Sequence, residues 1–268
     1  MHSDMRRLLE KLDLDWTDAD LASDLHPSTL GEFLASGGTA LVFAGCVIAE
    51  DRPVVLKFPR VPEPEEVFRV GWKTCIDALE HEGAVLTRCS GIEGVVQLYE
   101  DRRKASLPHL VMERLGTSLD DQVGENGERP LELRDAVALV RELVSTAARM
   151  HSLGTLHGDI TPRNVLRSSS SRWVLIDPAP PTLTTEDFSM RGIHGEQRDV
   201  LGIARTFLSA YFGVDNHRDI PEDETAELDD HPDLLRLLRR MLGQTRYPIP
   251  AAQTVNRTVG RIWRSEFS

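Results

Sequence analysis

His157-Gly158-Asp159-Ile160-Thr161-Pro162-Arg163-Asn164-Val165-Leu166, followed by Val174-Leu175-Ile176-Asp177, is the stretch that decides the reading of this chain. Asp159 and Asn164 lie five residues apart, and Asp177 follows Asn164 by thirteen, just past the apolar run Trp173-Val174-Leu175-Ile176. A carboxylate at the end of a buried strand is costly unless it is paired or holds a cation. Two oxygen ligands and a separate Asp would suit Mg²⁺ with phosphates and a base that receives a hydroxyl proton. One His-Gly-Asp turn alone would mean little. The spaced set, embedded between short apolar strands, carries the weight.

The bounds around it are ordinary. A chain of 268 residues can bury a full core as one large domain or two lobes. Its 40% hydrophobic and 28% charged residues are globular values. A net charge of -12 argues against a general binder of nucleic acid or anionic membrane, since both need basic surface. Three cysteines without a Cys-x-x-Cys pair predict reduced thiols and a cytoplasmic setting. Met1-His2-Ser3-Asp4 opens no apolar leader, and the longest apolar run, residues 40–49, is too short to span a bilayer. Nothing here sets an oligomeric state.

Outward from the central stretch, periodicity places the elements. Met5, Leu8, Leu9 and Leu12 have helical spacing, and Thr17-Asp18-Ala19-Asp20 reads as a helix cap, so residues 1–30 are expected to be a helical extension packed on the first lobe, with a regulatory or partner-binding arm as the alternative. Residues 34–49 alternate around Gly37-Gly38 and predict a hairpin. Residues 52–58 read as a strand with one Lys, Lys57, in an apolar run. A connector over 59–66 leads to a helical pattern through Ile76, Leu79, Val85 and Leu86. Strands are expected over 94–100 and 107–113, joined by a solvated basic turn, Arg102-Arg103-Lys104. Residues 131–153 form an amphipathic helix closed by Gly154. Beyond Asp177 come an irregular stretch, a helix opening at Asp199, an acidic loop over 219–230, and closing helices over 232–242 and around Val255, Val259, Ile262 and Trp263.

His157 to Asn164 resembles the catalytic loop H-R-D-x-x-x-x-N of the protein-kinase-like phosphotransferases, with Gly158 in place of Arg. Asp177 resembles the metal-binding Asp of D-F-G, followed here by Pro178-Ala179. The H-G-D variant also occurs in atypical protein kinases and in aminoglycoside- and choline-type kinases. The resemblance covers about residues 34–263. It implies an α+β, bilobal protein-kinase-like fold, with an antiparallel-sheet N-lobe over 31–115 and a mainly helical C-lobe over 116–268. It further implies ATP and Mg²⁺ as cofactors, with Asn164 and Asp177 on the metal and Asp159 orienting the acceptor hydroxyl. Lys57 stands at the V-A-I-K lysine that pairs with nucleotide phosphates, and Glu82 is its expected brace, with Glu80 as the alternative. Gly37 is the one matching glycine of G-x-G-x-x-G-x-V, Ala35 and Ala40 standing at the first and third. Val42, Val55 and Leu166 are placed on the adenine, Met112 at the gatekeeper, Glu113-Arg114-Leu115 at the hinge, and Asp199 where it would tie down the catalytic loop.

The chemistry that the resemblance implies is transfer of the γ-phosphoryl group to a hydroxyl acceptor. Protein Ser/Thr leads because the closing helices look like those of protein kinases, and Thr182, Thr184, Thr185 and Ser189 are candidate self-acceptors. A small-molecule kinase is the alternative, and the acidic surface would suit a cationic acceptor such as an amino sugar. A catalytically weak pseudokinase acting as a binding module is the third reading. Gly158, Thr161, Pro178 and the two alanines are departures from the family pattern, but none deletes a metal ligand or the base.

Overall fold

In the computed structural model, residues 1–63, 70–124, 130–180, 193, 195–213 and 228–267 are described. Thr182, Thr184, Thr185 and Ser189, positions 64–66 of the connector and 219–227 of the acidic loop lie outside them. The fold is α+β, and its elements follow the order of a protein-kinase-like fold. One compact unit comprises Met1–Ser90 and Val96–Arg114, the other Gly91–Val95 and Leu115–Ser268.

The first unit is built on a five-stranded antiparallel sheet of order β1-β2-β3-β5-β4. Its strands are β1 (Ser28–Ser36), β2 (Ala40–Val47), β3 (Arg52–Pro59), β4 (Leu98–Arg102) and β5 (His109–Glu113). Val42 pairs with Lys57, Ala44 with Val55, and Val55 with Met112. Because side chains alternate along a strand, Val42, Val55, Lys57 and Met112 share one face, and Leu41, Phe43, Leu56, Phe58 and Val111 share the other. That second face is covered by α1 (Ser3–Lys11) and α2 (Asp18–Leu25). Met5, Leu8, Leu9, Leu21 and Leu25 are buried in one cluster with Leu41, Phe43, Leu56 and Phe58. A Thr17–Asp20 capping box starts α2. The N-terminal helices thus complete the core of this sheet. Helix α3 (Trp72–Arg88) packs against β3, β4 and β5.

The strand expected over 94–100 is displaced to 98–102. Gly94 sits at φ +93, its carbonyl accepts from Leu175 N–H at 2.9 Å, and Val95 bridges Leu175 in parallel, so this backbone is committed to the second unit.

The second unit begins with α4 (Leu119–Val123) and the long α5 (Leu133–Ser152), whose Val137, Val140, Leu143, Val144, Ala147 and Met150 are buried. Gly154, at φ +66, lets the chain turn off α5. Then come a 3₁₀ turn (Pro162–Asn164), the hairpin β6 (Val165–Arg167) and β7 (Trp173–Leu175), and helices α6 (Glu196–Phe212), α7 (Pro232–Met241) and α8 (Ala252–Ile262). Helix α5 packs on α6 and α8. Among the described residues no helix is long and apolar enough to cross a membrane.

Candidate phosphotransfer site

In the first unit, β3 presents Lys57 to α3. Its ammonium lies 2.7 Å from Glu82 Oε2, with Lys57 6% and Glu82 4% exposed. Glu82 falls in the stripe Cys75, Ala78, Leu79, Val85, Leu86 that α3 turns inward, which is why it is buried. Glu80 lies off that stripe. It pairs with Arg103 at 3.1 Å and Lys104 at 2.9 Å, which settles the choice between the two glutamates on geometry. The basic turn is therefore not simply solvated: Arg103 is clamped by Asp101 and Glu80 and lies over Gly83, where a Cβ would come within 2.3 Å of its Nε.

Around Lys57 on the same sheet face, Val42 and Val55 are half-buried and Met112 is buried. Glu113 closes β5 and donates its N–H to Gln97 O at 2.9 Å. Leu115 follows as the first residue of the second unit's main segment, half-buried, and Leu166, on β6, is also half-buried. Gly37 donates its N–H to Ala40 O at 2.9 Å across the hairpin turn. A Cβ on Gly37 would meet only that oxygen, at 3.8 Å, and one on Gly38 would meet nothing within 4 Å. Neither glycine has positive φ, so neither the chain's own packing nor its backbone demands them.

In the second unit residues 157–164 and 176–179 are drawn together by hydrogen bonds. Asn164 donates from its amide nitrogen to Asp159 Oδ2 at 2.8 Å and to Asp159 O at 2.9 Å. Both partners are pure acceptors, so the nitrogen faces them and the amide oxygen is turned elsewhere. Asp159 is exposed, whereas Asn164 and Asp177 are half-buried. Ile176 N–H bonds Asn164 O at 3.0 Å, which sets the residue before Asp177 against the metal-ligand candidate. Asp177 holds φ +58, a left-handed conformation that a non-glycine residue keeps only where its surroundings impose it. Here the constraint comes from His157, which accepts from Ala179 N–H at 2.8 Å through its carbonyl and bonds Ile176 O at 2.8 Å through Nε2.

Since Ile176 O only accepts, His157 carries its proton on Nε2, and Nδ1 accepts the Asp159 N–H at 3.3 Å. Burial pushes the His157 pKa below the usual imidazole value, against the opposing pull of Asp199 and Asp159. The neutral ring thus joins the loop that carries Asp159 to the strand end that carries Asp177.

Beneath the loop, Asp199 on the first turn of α6 accepts from His157 N–H at 2.9 Å and from Gly158 N–H at 2.7 Å. His151 Nε2 lies 2.8 Å from the same carboxylate. Burial alone would raise the Asp199 pKa; the His151 hydrogen bond, the His157 ring and the two backbone donors outweigh it and hold the group below the usual carboxylate value. Reading α5 from sequence makes His151 only a structural residue; its partner is 48 positions away, so no local spacing could reveal the contact. Gly158 is required by shape. It sits at φ +80, and a Cβ there would lie 2.8 Å from Ala179 O, which leaves no room for the Arg of the family pattern.

The donor set fits the implied cofactors. The Asn164 amide oxygen and the Asp177 carboxylate are hard oxygen ligands, and Mg²⁺ is ordinarily held by one or two such groups together with phosphate oxygens and water. Among the described residues no group of three or more His, Cys, Asp and Glu is arranged to hold a metal by itself.

No family model matches the chain. It is similar to the serine/threonine-protein kinase PknL of Mycobacterium bovis, 29% identical over 145 residues, 54% of this chain and 34% of that protein. PknL of Mycobacterium tuberculosis gives the same identity and coverage. Calcium-dependent protein kinase 26 of Oryza sativa subsp. japonica is 33% identical over 137 residues, 49% of this chain and 24% of that kinase. The match spans about half of this chain and between 24% and 34% of these relatives. Over that half, the chain is similar to protein serine/threonine kinases.

Proposed function

We propose that this chain is an ATP- and Mg²⁺-dependent phosphotransferase that moves a γ-phosphoryl group to a hydroxyl, with Ser or Thr of a protein as the leading acceptor. The observation that carries this reading is the Asn164 amide bridging the Asp159 carboxylate and backbone, with Ile176-Asp177 bonded to Asn164 O. Asp159 would orient the acceptor hydroxyl and receive its proton, and its position is held by Asn164 and His157. Asn164 and Asp177 would hold Mg²⁺. Lys57, paired with Glu82, would hold nucleotide phosphates. Gly37 and Gly38, which nothing in the chain requires, leave space for a close backbone approach to the same phosphates. Bound Mg·ATP would supply the transferable group and neutralise its charge. The residues would contribute positioning and electrostatics, which is most of phosphoryl-transfer catalysis. The serine/threonine kinase relatives support a protein acceptor over an amino sugar.

The test is incubation with γ-labelled ATP and Mg²⁺, alone and with generic protein and amino-sugar acceptors. Label is expected on protein, falling by orders of magnitude in Asp159→Asn while nucleotide binding persists. Label on the sugars would favour the small-molecule reading, and label nowhere would leave a binding module. An unchanged rate in Asp159→Asn would overturn the assignment of the base.

A further inference from the structure

Charge is unevenly spread along this chain. Residues 231–268 hold seven arginines, no lysine and two carboxylates, a surplus of five positive charges in a chain of net -12. Helix α7 turns Leu234, Leu237, Leu238 and Met241 inward and leaves Arg236 and Arg239 exposed. After Gly243, at φ +72, the loop to α8 places Tyr247 beside the helix end, 53% exposed. Arg246 donates from Nη2 to the Tyr247 hydroxyl at 2.9 Å. The guanidinium carbons of Arg246 and Arg240 lie 5.0 and 5.8 Å from the centre of its ring. Thr245 Oγ1 accepts from Tyr247 N–H and donates to Tyr247 O, each at 3.3 Å, which fixes the turn. Arg236 is answered by Asp233 at 2.6 Å, but Arg239, Arg240 and Arg246 meet no carboxylate among the described residues.

Guanidiniums with no carboxylate partner among the described residues, set around an exposed tyrosine in a segment without lysine, match the composition of protein-interface hot spots. Guanidinium forks take carboxylates in bidentate fashion, which an ammonium does not. We propose that Arg239, Arg240, Arg246 and Tyr247 form a docking surface for a short acidic segment of a protein partner. The rest of the chain is strongly acidic, and its field repels a long polyanion or an anionic bilayer, whereas a short peptide meets only the local patch within a Debye length of about 8 Å. This surface is independent of the phosphotransfer reading.

The test is fluorescence anisotropy of the full chain with fluorescein-labelled octaglutamate, and with a Gly-Ser octapeptide of equal length as control. Octaglutamate is expected to bind and to weaken as salt is raised, while the control stays free. Arg246→Glu should weaken it at least tenfold and Tyr247→Ala several-fold, with melting temperatures near that of the parent because both side chains are exposed. If Arg246→Glu does not fold, Tyr247→Ala alone decides. The proposal is overturned by no octaglutamate binding, by unchanged affinity in the folded variants, or by tighter binding of single-stranded DNA or phosphatidylserine vesicles through the same arginines.

Discussion

His157 and Asp199 show how single side chains set the pH range of the site. The neutral ring donates to Ile176 O and accepts from Asp159 N–H, so a proton on Nδ1 would oppose one N–H to another. With its folded pKa below the ordinary 6.5, His157 gains a proton more readily in the unfolded chain, so its stabilisation is full above about pH 6.5 and is lost as pH falls below that. Asp199, depressed below 3.8, contributes stability that is present above the ordinary carboxylate pKa and lost as pH falls through its own lower value. Both act in the same direction, in two separate windows. Melting temperature should be level from pH 8 to 7, decline from about 6.5, and fall further below pH 4. His157→Gln should make the upper window shallower, leaving the part due to buried His109, and should shrink the lower one without abolishing it, because His151 and the two backbone donors still hold Asp199 down. A His157→Gln profile parallel to the parent's would contradict the buried neutral tautomer.

Among the elements, α1 and α2 differ most in weight from what a terminal extension usually carries. Their apolar residues face Leu41, Phe43, Leu56 and Phe58 on the side of the sheet opposite Lys57, so the sheet is covered on that face from within its own unit. The spacing of Met5, Leu8, Leu9 and Leu12 is enough to read α1, because one helix face must be buried somewhere. Which surface receives it is not readable, since the pattern carries no information about its partner. The same limit explains β4. Gly94-Val95-Val96 has the composition of a strand, but the positive φ of Gly94 and its bond to Leu175 depend on a segment some 80 residues away. Local spacing is sufficient at the 157–164 loop, where Asn164 follows Asp159 by five residues and a tight 3₁₀ turn brings the two side chains together. Leu8 is fully buried, so Leu8→Ala should cost roughly 2–5 kcal/mol in urea unfolding. A loss under about 0.5 kcal/mol, the scale of a surface substitution, would show that α1 is not part of this core.

At the scale of the whole molecule, two polar sets lie in separate compact units: the buried Lys57–Glu82 pair in one, and exposed Asp159, half-buried Asn164 and Asp177 and buried Asp199 in the other. Neither is what stability alone would select. A buried ion pair is often no better than apolar residues of equal volume, and a left-handed Asp177 costs backbone energy. Retaining both in one chain is consistent with a ligand that repays them on binding. Such a ligand raises the melting temperature by mass action, about 2.7 kcal/mol at a hundred times its dissociation constant. For a chain of this size that is roughly 5–10 °C. Saturating Mg·ATP should therefore raise the melting temperature of the full chain by this order, and EDTA should remove most of the increment. Asp177→Asn should lose the Mg²⁺-dependent part while keeping whatever ATP contributes in EDTA, because a neutral amide is a weaker ligand for a hard dication. If Asp177→Asn keeps the full Mg²⁺-dependent increment, Asp177 is not a metal ligand, and its left-handed backbone needs another explanation.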